Sequence, residues 1–480
     1  MNLRHIFLFP LLISTFGSNG QTTDISIPEK IKNRMNNIEI LGFSQNNYYV
    51  VRYNKAMQQE FVFSRYNKDL QLAGQLEFQI DKGNDIEEIL LVDKNIHIYY
   101  SAYDREEKAY KLYCTVLTGR LAFQSRDNLV ASAKVTSSSK TFRITYDKVF
   151  KRVLVMYPKS IENDLVNFGF VQLSPSLEVL KTYQSVIVPE KEFSVEQLSL
   201  AAGNAGMIIR RNISGGFLKG TKEQLSFLRI NLEKESVSSV NLFNDSLSFS
   251  SVVYKFDYLN NRFVFSGFYH TDDKETDKGL GVIFIPVTVD SLRINFIPFS
   301  TDMIATLEGA GSNKKGLRDF YAKKVFLRDD GGFLFLAEKF TIVKEVMNNY
   351  YSLNNVYIRY FYRFSDVLVV SVNPYGNITW TKVIRKEQTT LNDEGFYSSF
   401  HSTSLHNKVV IFFNDISRSS WNLIYNTIDP DGNINYQILY TSANLAGTAI
   451  PRNARQVNAS EVIIPVINVS KGFSLLRVRF

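Results

Sequence analysis

The chain has 480 residues, with 55 Lys and Arg against 47 Asp and Glu and a formal net charge of +8. A hydrophobic content of 45% is that of a folded protein and excludes a disordered or collagen-like chain. The single cysteine excludes a disulfide framework and multi-cysteine metal sites, and interleaved basic and acidic residues leave no polybasic tract for nucleic acid.

The first twenty residues predict a secretory signal peptide. Arg4 gives a short positive start, residues 6–16 are mostly apolar, and the small residues Ser18 and Gly20 precede a cleavage site before Gln21. We therefore expect an exported chain, periplasmic or extracellular. No later run is long and apolar enough to predict a spanning helix. One cysteine in a secreted chain rich in Asn, Lys and Tyr is more typical of a bacterial cell-envelope protein than of a eukaryotic one.

From Ile38 onward, short runs of β-branched and aromatic residues alternate with Asn, Asp, Gly, Lys and Ser. Such runs are typical of strands and turns. Clear examples are residues 48–53, 60–66, 152–157 and 262–268. Helical spacing is best at residues 301–320 and in a turn near 194–200. The pattern predicts an all-β chain with one or two helical insertions at most.

An internal repeat is the most informative feature. Residues 371–384 align without a gap to residues 427–440, so that Gly376 matches Gly432 and Trp380 matches Tyr436. Each copy has an Asx-Pro pair that starts a turn, a glycine that can close it with a positive φ, and an alternating strand. Weaker copies place turns near residues 68, 119, 175, 234 and 290. The spacing is about 50 to 60 residues, except for a wider interval between 290 and 374.

Four strands in each repeat resemble the blades of a β-propeller, and the resemblance covers residues 24–480. It implies eight four-stranded blades in one domain, residues 21–480, or seven if residues 195–244 do not form a blade. The last unit, residues 461–468 and 472–480, runs out of chain before a fourth strand. Residues 24–31 are therefore predicted to supply it and to close the ring. No signature of a particular propeller family is present.

No sequence motif predicts catalytic residues, a metal site or a cofactor. Cys114 lies in an apolar stretch and is predicted to be buried, while His401 and His406 are predicted to lie on the surface or in a hairpin. The acidic loop 270–279 and the turn 429–433 lack the spacing of a calcium loop. Paired carboxylates occur at residues 87–88, 329–330 and 393–394, and sequence alone leaves open which of them approach one another.

Long connections are expected on one face of the ring, where binding sites usually lie. They are residues 125–141, 212–223, 301–320, 343–365, 387–397 and 441–457. The segment 348–364 interleaves tyrosine and arginine, which are common at protein interfaces and, for tyrosine, in sugar-binding platforms. The candidate binding residues are Tyr350, Tyr351, Tyr357, Arg359, Tyr360, Tyr362 and Arg363. The alternative is that residues 356–364 extend a hairpin and pack on the neighbouring blade.

These observations predict an exported, non-catalytic propeller that binds a protein partner or a cell-surface glycan, within or beside an envelope assembly. The alternative is a hydrolase or lyase that acts on a polysaccharide with carboxylates at the mouth of the central channel.

Overall fold

The computed structural model describes residues 21–30, 37–54, 59–134, 142–162, 165–187, 193–201, 203–214, 221–234, 236–242, 247–271, 276–287, 293–309, 315–348, 356–417, 420–441, 447–468 and 472–480. In these ranges the chain forms strands β1 to β33, one α-helix and a short 3-10 helix. Neither helix is long and apolar enough to cross a membrane.

The strands form eight antiparallel sheets, and each sheet is one blade. Strand β1 (Thr22–Ile25) belongs to blade 8. Blade 1 contains β2 to β5 (Asn37–Ser44, Asn47–Tyr53, Glu60–Asn67, Leu72–Gln79). Blade 2 contains β6 to β9 (Asp85–Val92, Asn95–Asp104, Ala109–Leu117, Phe123–Ala133). Blade 3 contains β10 to β13 (Arg143–Asp147, Arg152–Glu162, Leu165–Leu173, Val179–Ile187).

Blade 4 contains β14 to β17 (Phe193–Ala201, Asn204–Ser214, Thr221–Asn231, Ser236–Asn241). Blade 5 contains β18 to β21 (Ser248–Asp257, Arg262–His270, Gly279–Pro286, Arg293–Pro298) and is followed by helix α1 (Thr301–Glu308). Blade 6 contains β22 to β25 (Phe320–Leu327, Phe333–Asn348, Val356–Val372, Ile378–Leu391). Blade 7 contains β26 to β29 (Phe400–Leu405, Lys408–Ser417, Ser420–Ile428, Ile434–Thr441).

Blade 8 contains β30 to β33 (Thr448–Ala449, Arg455–Asn458, Glu461–Asn468, Gly472–Arg479), with the 3-10 helix Pro451–Asn453 between β30 and β31. Both β30 and β31 pair with β32, so together they take the inner position of the blade. The eight sheets confirm the eight-bladed prediction. Blade 4 is complete, which removes the seven-bladed alternative, and residues 194–200 lie in strand β14 rather than in a helical turn.

The N-terminal strand closes the ring, as predicted. Strand β1 pairs antiparallel with β33, from Thr22 opposite Arg479 to Ile25 opposite Leu476. A bridge between Glu29 and Phe473 continues the contact. The two ends of the chain therefore complete the outer part of blade 8 and cover an edge that would otherwise be open to other strands.

The turns found in the sequence repeat share one backbone geometry. In the turns between the third and fourth strands of blades 1, 2, 3, 6 and 7, the fourth residue has a positive φ and donates its N–H to the carbonyl three residues earlier. These residues are Leu70, Leu121, Leu177, Gly376 and Gly432. Leu70 and Leu121 are buried. Burial of the leucine side chains offsets the unfavourable backbone conformation, which glycine adopts without strain.

The core lies between the blades rather than inside a single sheet. Strand β3 has five consecutive buried residues, because both faces of the blade are covered by its neighbours. Between blades 4 and 5, the ring of Phe227 meets those of Phe263 and Phe265 edge-to-face at 5.0 and 4.6 Å. Cys114 is buried between blades 2 and 3, as predicted. The long apolar runs of the sequence are thus strands buried on both faces.

The inner strands of six blades contain a bulge at their third, fourth or fifth residue. One residue lacks a direct partner on the second strand at Leu41, Glu87, Glu196, Ser250, Lys323 and Val457. A bulge redirects side chains. Glu87 accepts a hydrogen bond from Ser101, Glu196 pairs with Arg210, and Lys323 lies 3.3 Å from Glu338, so these three side chains reach the second strand of their own blade.

Candidate functional site

Blade 6 is longer than the other blades at the end where β23 turns into β24. Strands β23, β24 and β25 have 16, 17 and 14 residues, but β22 has 8 and pairs with β23 only as far as Lys339. Residues 341–348, 356–363 and 389–391 therefore extend beyond the inner strand, and we call them the blade 6 extension. Strands cover residues 343–348 and 356–365 of the predicted loop, so the alternative is right that this segment extends a hairpin. Its second part, that residues 356–364 pack on the neighbouring blade, is wrong for Ile358, Arg359, Tyr360 and Arg363, which are exposed.

The register of this hairpin separates the predicted binding residues. Tyr360 and Tyr362 lie opposite Lys344 and Ile342 and share what we call the tyrosine face, together with Val346 and Ile358. The other face, which we call the arginine face, carries Val343, Glu345, Met347, Arg359, Phe361, Arg363 and Leu391. Tyr357, in β24, lies opposite Met347 of β23. Tyr350 and Tyr351 lie outside the described residues. Tyr360 and Tyr362 thus lie on the opposite face of the hairpin from Arg359 and Arg363, and the extension has two different surfaces.

Large apolar side chains are exposed on both surfaces. On the tyrosine face, Ile342, Val346 and Ile358 are 52%, 58% and 42% exposed. On the arginine face, Met347 and Leu391 are 44% and 46% exposed beside the exposed Arg359 and Arg363. A group of exposed apolar residues on a sheet is typical of an interaction surface.

The base of the extension is firmly held on both sides. Helix α1, shorter than the predicted 301–320, begins at the N-cap Ser300 and contacts blade 6 through Lys339, whose Nζ lies 3.1 Å from Glu308. On the opposite side, the rings of Phe340 and Phe364 pack 4.4 Å apart. Tyr360 N donates to Asn392 Oδ1 at 2.9 Å, which joins the extension to the linker into blade 7.

A buried ion pair lies below the extension. Lys386 Nζ is 2.8 Å from Glu338 Oε1, and both side chains are almost completely buried. Ser399 Oγ donates to Glu338 Oε2 at 2.6 Å. Burial lowers the pKa of Lys386, and the Glu338 charge opposes that shift. Removal of one partner would leave an uncompensated buried charge, so the pair holds β23 and β25 of blade 6 together. The Ser399 hydrogen bond connects Glu338 to the linker that leads to blade 7.

A second candidate site lies in the central channel. A cavity of about 500 Å³ is lined by the inner strands of blades 1, 2 and 3 and by the segment 452–455 of blade 8. Its charged residues are Glu39, Glu88, Lys148, Arg452 and Arg455. Four blades bring them together from distant parts of the sequence, so no local motif indicated this site.

The carboxylates and cations of the cavity influence one another. Burial raises the pKa of Glu88 to about 7, and the nearby Glu39 charge contributes, while Arg455 and Arg143 oppose the shift. Burial lowers the pKa of Arg455. Lys148 is exposed to solvent on one side, but the protein atoms around the cavity partly desolvate its ammonium group, and this desolvation, together with Arg455, lowers its pKa. Glu88 can therefore exchange a proton near neutral pH.

The carboxylate pairs noted in the sequence do not act as pairs. Glu87 turns to Ser101 at its bulge, whereas Glu88 lines the channel cavity. Asp330 pairs with Arg328 in a turn of blade 6. Asp393 accepts a hydrogen bond from Gly395 N at 2.8 Å and so shapes a turn. The carboxylate that accompanies Glu88 in the cavity is Glu39 of the preceding blade, which the sequence analysis did not single out.

The histidines and the acidic loop have local roles. His406 is exposed in the turn of the β26–β27 hairpin, and His401 lies in β26 of the same hairpin, which agrees with the predicted surface or hairpin positions. The Nε2 atom of His401 is buried and has no hydrogen bond to the described residues. Asp277, at the end of the acidic loop, lines a cavity of about 550 Å³ between blades 5 and 6. Burial raises the pKa of Asp277 to about 6, although Ser250 donates to it at 2.6 Å. The described residues contain no group of three metal-ligating side chains.

No family model and no curated protein sequence matches the chain. Several solved structures are similar to it. A eukaryotic initiation factor has 8% identity, with 93% of this chain and 89% of that chain covered and a TM-score of 0.42. The β-propeller domain of the trilobed protease from Pyrococcus furiosus has 10% identity, coverage of 83% and 93%, and a TM-score of 0.36. The WD40 domain of SCAP from fission yeast has 10% identity, coverage of 95% and 98%, and a TM-score of 0.29.

At these identities and scores, none of these structures indicates a function for the chain. The assignment to the β-propeller architecture comes from the eight sheets themselves and from the strand that closes them.

Proposed function

We propose that this protein is an exported, non-catalytic β-propeller that binds a protein partner through the blade 6 extension. The observation that supports this proposal is the exposure of large apolar side chains on both faces of a sheet with a rigidly held base. The blade itself is complete without the extension, since β22 ends its pairing at Lys339. The additional strand length therefore serves something other than the blade core.

The arginine face suggests the chemistry of the partner. Arg359 and Arg363 are exposed beside Met347 and Leu391, and arginine next to apolar residues is typical of binding hot spots. The whole chain carries a net charge of +8. We infer that the partner presents an acidic and apolar surface. A second copy of this chain fits less well, because the same two arginines would face each other.

Export is part of the proposal. The predicted signal peptide ends one residue before Gln21, and β1 begins at Thr22, so cleavage there would leave the closing strand whole. We propose a periplasmic or extracellular location for the exported chain, and its single cysteine and its content of Asn, Lys and Tyr favour a bacterial envelope. Mass spectrometry of the protein purified from its host should find an N-terminus at or next to Gln21. Recovery of a chain that still begins at Met1 would overturn the export proposal.

The alternative of a polysaccharide hydrolase or lyase has one supporting observation, which is that Glu39 and Glu88 line one channel cavity. The same cavity contains the cations Lys148 and Arg455, and Glu39 accepts hydrogen bonds from Tyr53 and Asn37. This mixed composition is better suited to holding a charged ligand than to general acid and base catalysis on a neutral sugar. We therefore favour binding over catalysis.

The binding proposal is tested with a partner obtained by chemical crosslinking in the host, which is then purified and titrated against the mature protein. The double variant Arg359→Ala, Arg363→Ala should weaken binding at least about tenfold, because each substitution removes an exposed guanidinium and its charged contact with the partner. Binding of the parent protein should also weaken as salt is raised, because the partner is acidic.

Leu259→Ser is the matched control, since Leu259 is 73% exposed in the turn between β18 and β19 of blade 5. It should change neither binding nor the melting temperature. Equal loss of affinity in the control and the double variant would refute the blade 6 surface. The proposal would also be refuted if the captured partner were a polysaccharide that binds the double variant and Leu259→Ser as tightly as it binds the parent protein.

A further inference from the structure

We propose that the channel cavity is a binding site for an oxyanion, the carboxylate or sulfate-like group of a small ligand, held between Arg455 of blade 8 and Lys148 of blade 3. This site is separate from the blade 6 extension, and the proposal does not depend on the proposed function. It rests on the hydrogen-bonding capacity, the charge balance and the volume of the cavity.

Arg455 is the deeper of the two cations. Its guanidinium has five N–H donors, and its hydrogen bond within the described chain is Nη1 to the carbonyl oxygen of Ile40 at 2.9 Å. Glu39 and Glu88 are close enough to influence its pKa, but neither carboxylate forms an ion pair with it among the described residues. Arginine donors of this kind match the geometry of carboxylates and other oxyanions.

Lys148 provides the second cation, at the mouth of the cavity. It lies in the turn between β10 and β11, its side chain is exposed, and it makes no hydrogen bond or ion pair with the described residues. The third cation, Arg452, is already engaged with the carbonyl oxygens of Glu394 and Gly395 at 3.0 and 2.9 Å. Lys148 and Arg455 are thus the cations available to an anion that enters the cavity.

The charge of the cavity changes near neutral pH. Glu88 is faced by Glu39 from β2, Arg143 from β10 and Arg455 from β31, and its pKa is about 7. At lower pH the Glu88 carboxyl is neutral and can donate a hydrogen bond to an anion; at higher pH it is charged and repels the anion. Anion binding should therefore strengthen as the pH falls through 7.

The cavity volume of about 500 Å³ exceeds that of a single inorganic ion. It is comparable with the pockets that hold small organic ligands, for which about 300 to 1,000 Å³ is usual. Two kinds of anionic group fit this cavity, a carboxylate and a tetrahedral oxyanion such as sulfate. Separate titrations with acetate and with sulfate distinguish them.

The test is calorimetric titration of the mature protein with sodium sulfate and, in a second series, with sodium acetate, at constant ionic strength adjusted with chloride. Neither probe titrates between pH 6 and pH 8, so a pH effect belongs to the protein. We expect at least one of the two anions to bind about tenfold more tightly at pH 6 than at pH 8. Absence of saturable binding by both anions at pH 6 would overturn the proposal.

Three variants locate the site. Lys148→Met should weaken binding of the anion about tenfold without changing the fold, because Lys148 is exposed. Lys151→Met is the matched control from the same turn, where Lys151 is also exposed and pairs with Asp93 at 3.2 Å. Glu88→Gln should bind equally well at pH 6 and pH 8. Equal weakening by Lys151→Met, or a pH dependence that persists in Glu88→Gln, would show that the anion binds elsewhere.

Discussion

The indole nitrogen of Trp380 in blade 6 donates a hydrogen bond to the carbonyl oxygen of Pro430 in blade 7, with an N–O distance of 3.1 Å. Trp380 belongs to one copy of the sequence repeat, and Pro430 begins the turn of the next copy. Gly432 lies against the same ring, since a Cβ there would come within 2.9 Å of Trp380 Cδ2. The strand of one copy thus docks onto the turn of the following copy.

Replacement of Trp380 by Phe removes this hydrogen bond and part of the packing on Gly432. We expect the free energy of unfolding to fall by about 1 to 2 kcal/mol. Tyr436→Phe is the matched control, because Tyr436 is the aligned residue of blade 7 and is 52% exposed. Denaturant unfolding measures both. A larger loss of unfolding free energy in Tyr436→Phe than in Trp380→Phe would show that Trp380 does not stabilise the contact between the two copies.

Removal of residues 21–30 from the mature protein should open the ring. Four residue pairs between β1 and β33 would be lost, together with the ion pair between Asp24 and Arg477 at 2.6 Å. The uncovered edge of β33 would then be available to other chains. We expect a melting temperature lower by about 10 °C or more and aggregation on heating.

Ile27→Ser is the control for this truncation, since Ile27 is 82% exposed within the same segment. It should melt like the parent protein. A truncated protein with an unchanged melting temperature and no aggregation would show that β1 does not contribute to closure.

His401 should make the protein sensitive to acid. Burial, with a contribution from Lys324, lowers the pKa of His401 to about 3 from an ordinary value of 6.5. The folded state therefore keeps the ring neutral, and the stability this provides is present above pH 6.5 and is lost as the pH falls toward 3. In His401→Phe, the free energy of unfolding should decline less steeply below pH 6.5, by at most about 1.4 kcal/mol per pH unit.

The matched control is His406→Asn, because His406 is exposed and has a φ of 48°, which asparagine tolerates. Its pH profile should follow that of the parent protein. An unchanged acid slope in His401→Phe would place the acid sensitivity at other groups, with buried His97 the first to examine, since burial lowers its pKa to about 4.

Asp277 should have the opposite pH dependence. Its pKa is raised from 3.8 to about 6, so the stability linked to its proton is fully present below pH 3.8 and is lost as the pH rises through 6. Asp277→Asn keeps an acceptor for the Ser250 hydroxyl and removes the buried charge. We expect it to raise the free energy of unfolding at pH 7.5 by about 2 kcal/mol, and by less at pH 4.5.

Asp431→Asn, in an exposed turn of blade 7, is the control for Asp277 and should leave the stability difference between pH 7.5 and pH 4.5 unchanged. Denaturant midpoints at the two pH values provide the comparison. Destabilisation by Asp277→Asn at pH 7.5 would mean that the charged carboxylate has a favourable partner.

Fold and blade number were predictable because the repeat is local. An Asx residue, a polar turn and a following alternating strand can be recognised within about fifteen residues. Leu70 and Leu121 show the limit of this approach, since a leucine with positive φ does not mark a turn by itself, and only the spacing of the copies identified these positions. Residues 24–31 were predicted to close the ring, but β1 begins two residues earlier, at Thr22, and ends at Ile25. Its bounds were not predictable because the register with β33 is a long-range property.

The candidate sites were less predictable. Alternation in residues 356–364 separates Tyr360 and Tyr362 from Arg359 and Arg363. The length of β23 opposite them sets how far the hairpin extends, and that length depends on pairing between strands. Glu39, Glu88 and Arg455 come from three blades, so their proximity depends on the closed ring. Residues that meet only through closure leave no spacing signal in the chain.

Closure by β1 also determines the order in which the ring can be completed. Asp24 and Arg477 are separated by 453 positions, so β1 has no partner until β33 has been synthesised. Bringing such distant segments together has a large entropic cost, and long-range pairing is slow. Blades 1 to 7 can form in sequence from neighbouring segments, whereas blade 8 requires both β1 and β33. Pairing of these two strands is therefore a late step, and a molecule that lacks either of them would remain an open ring.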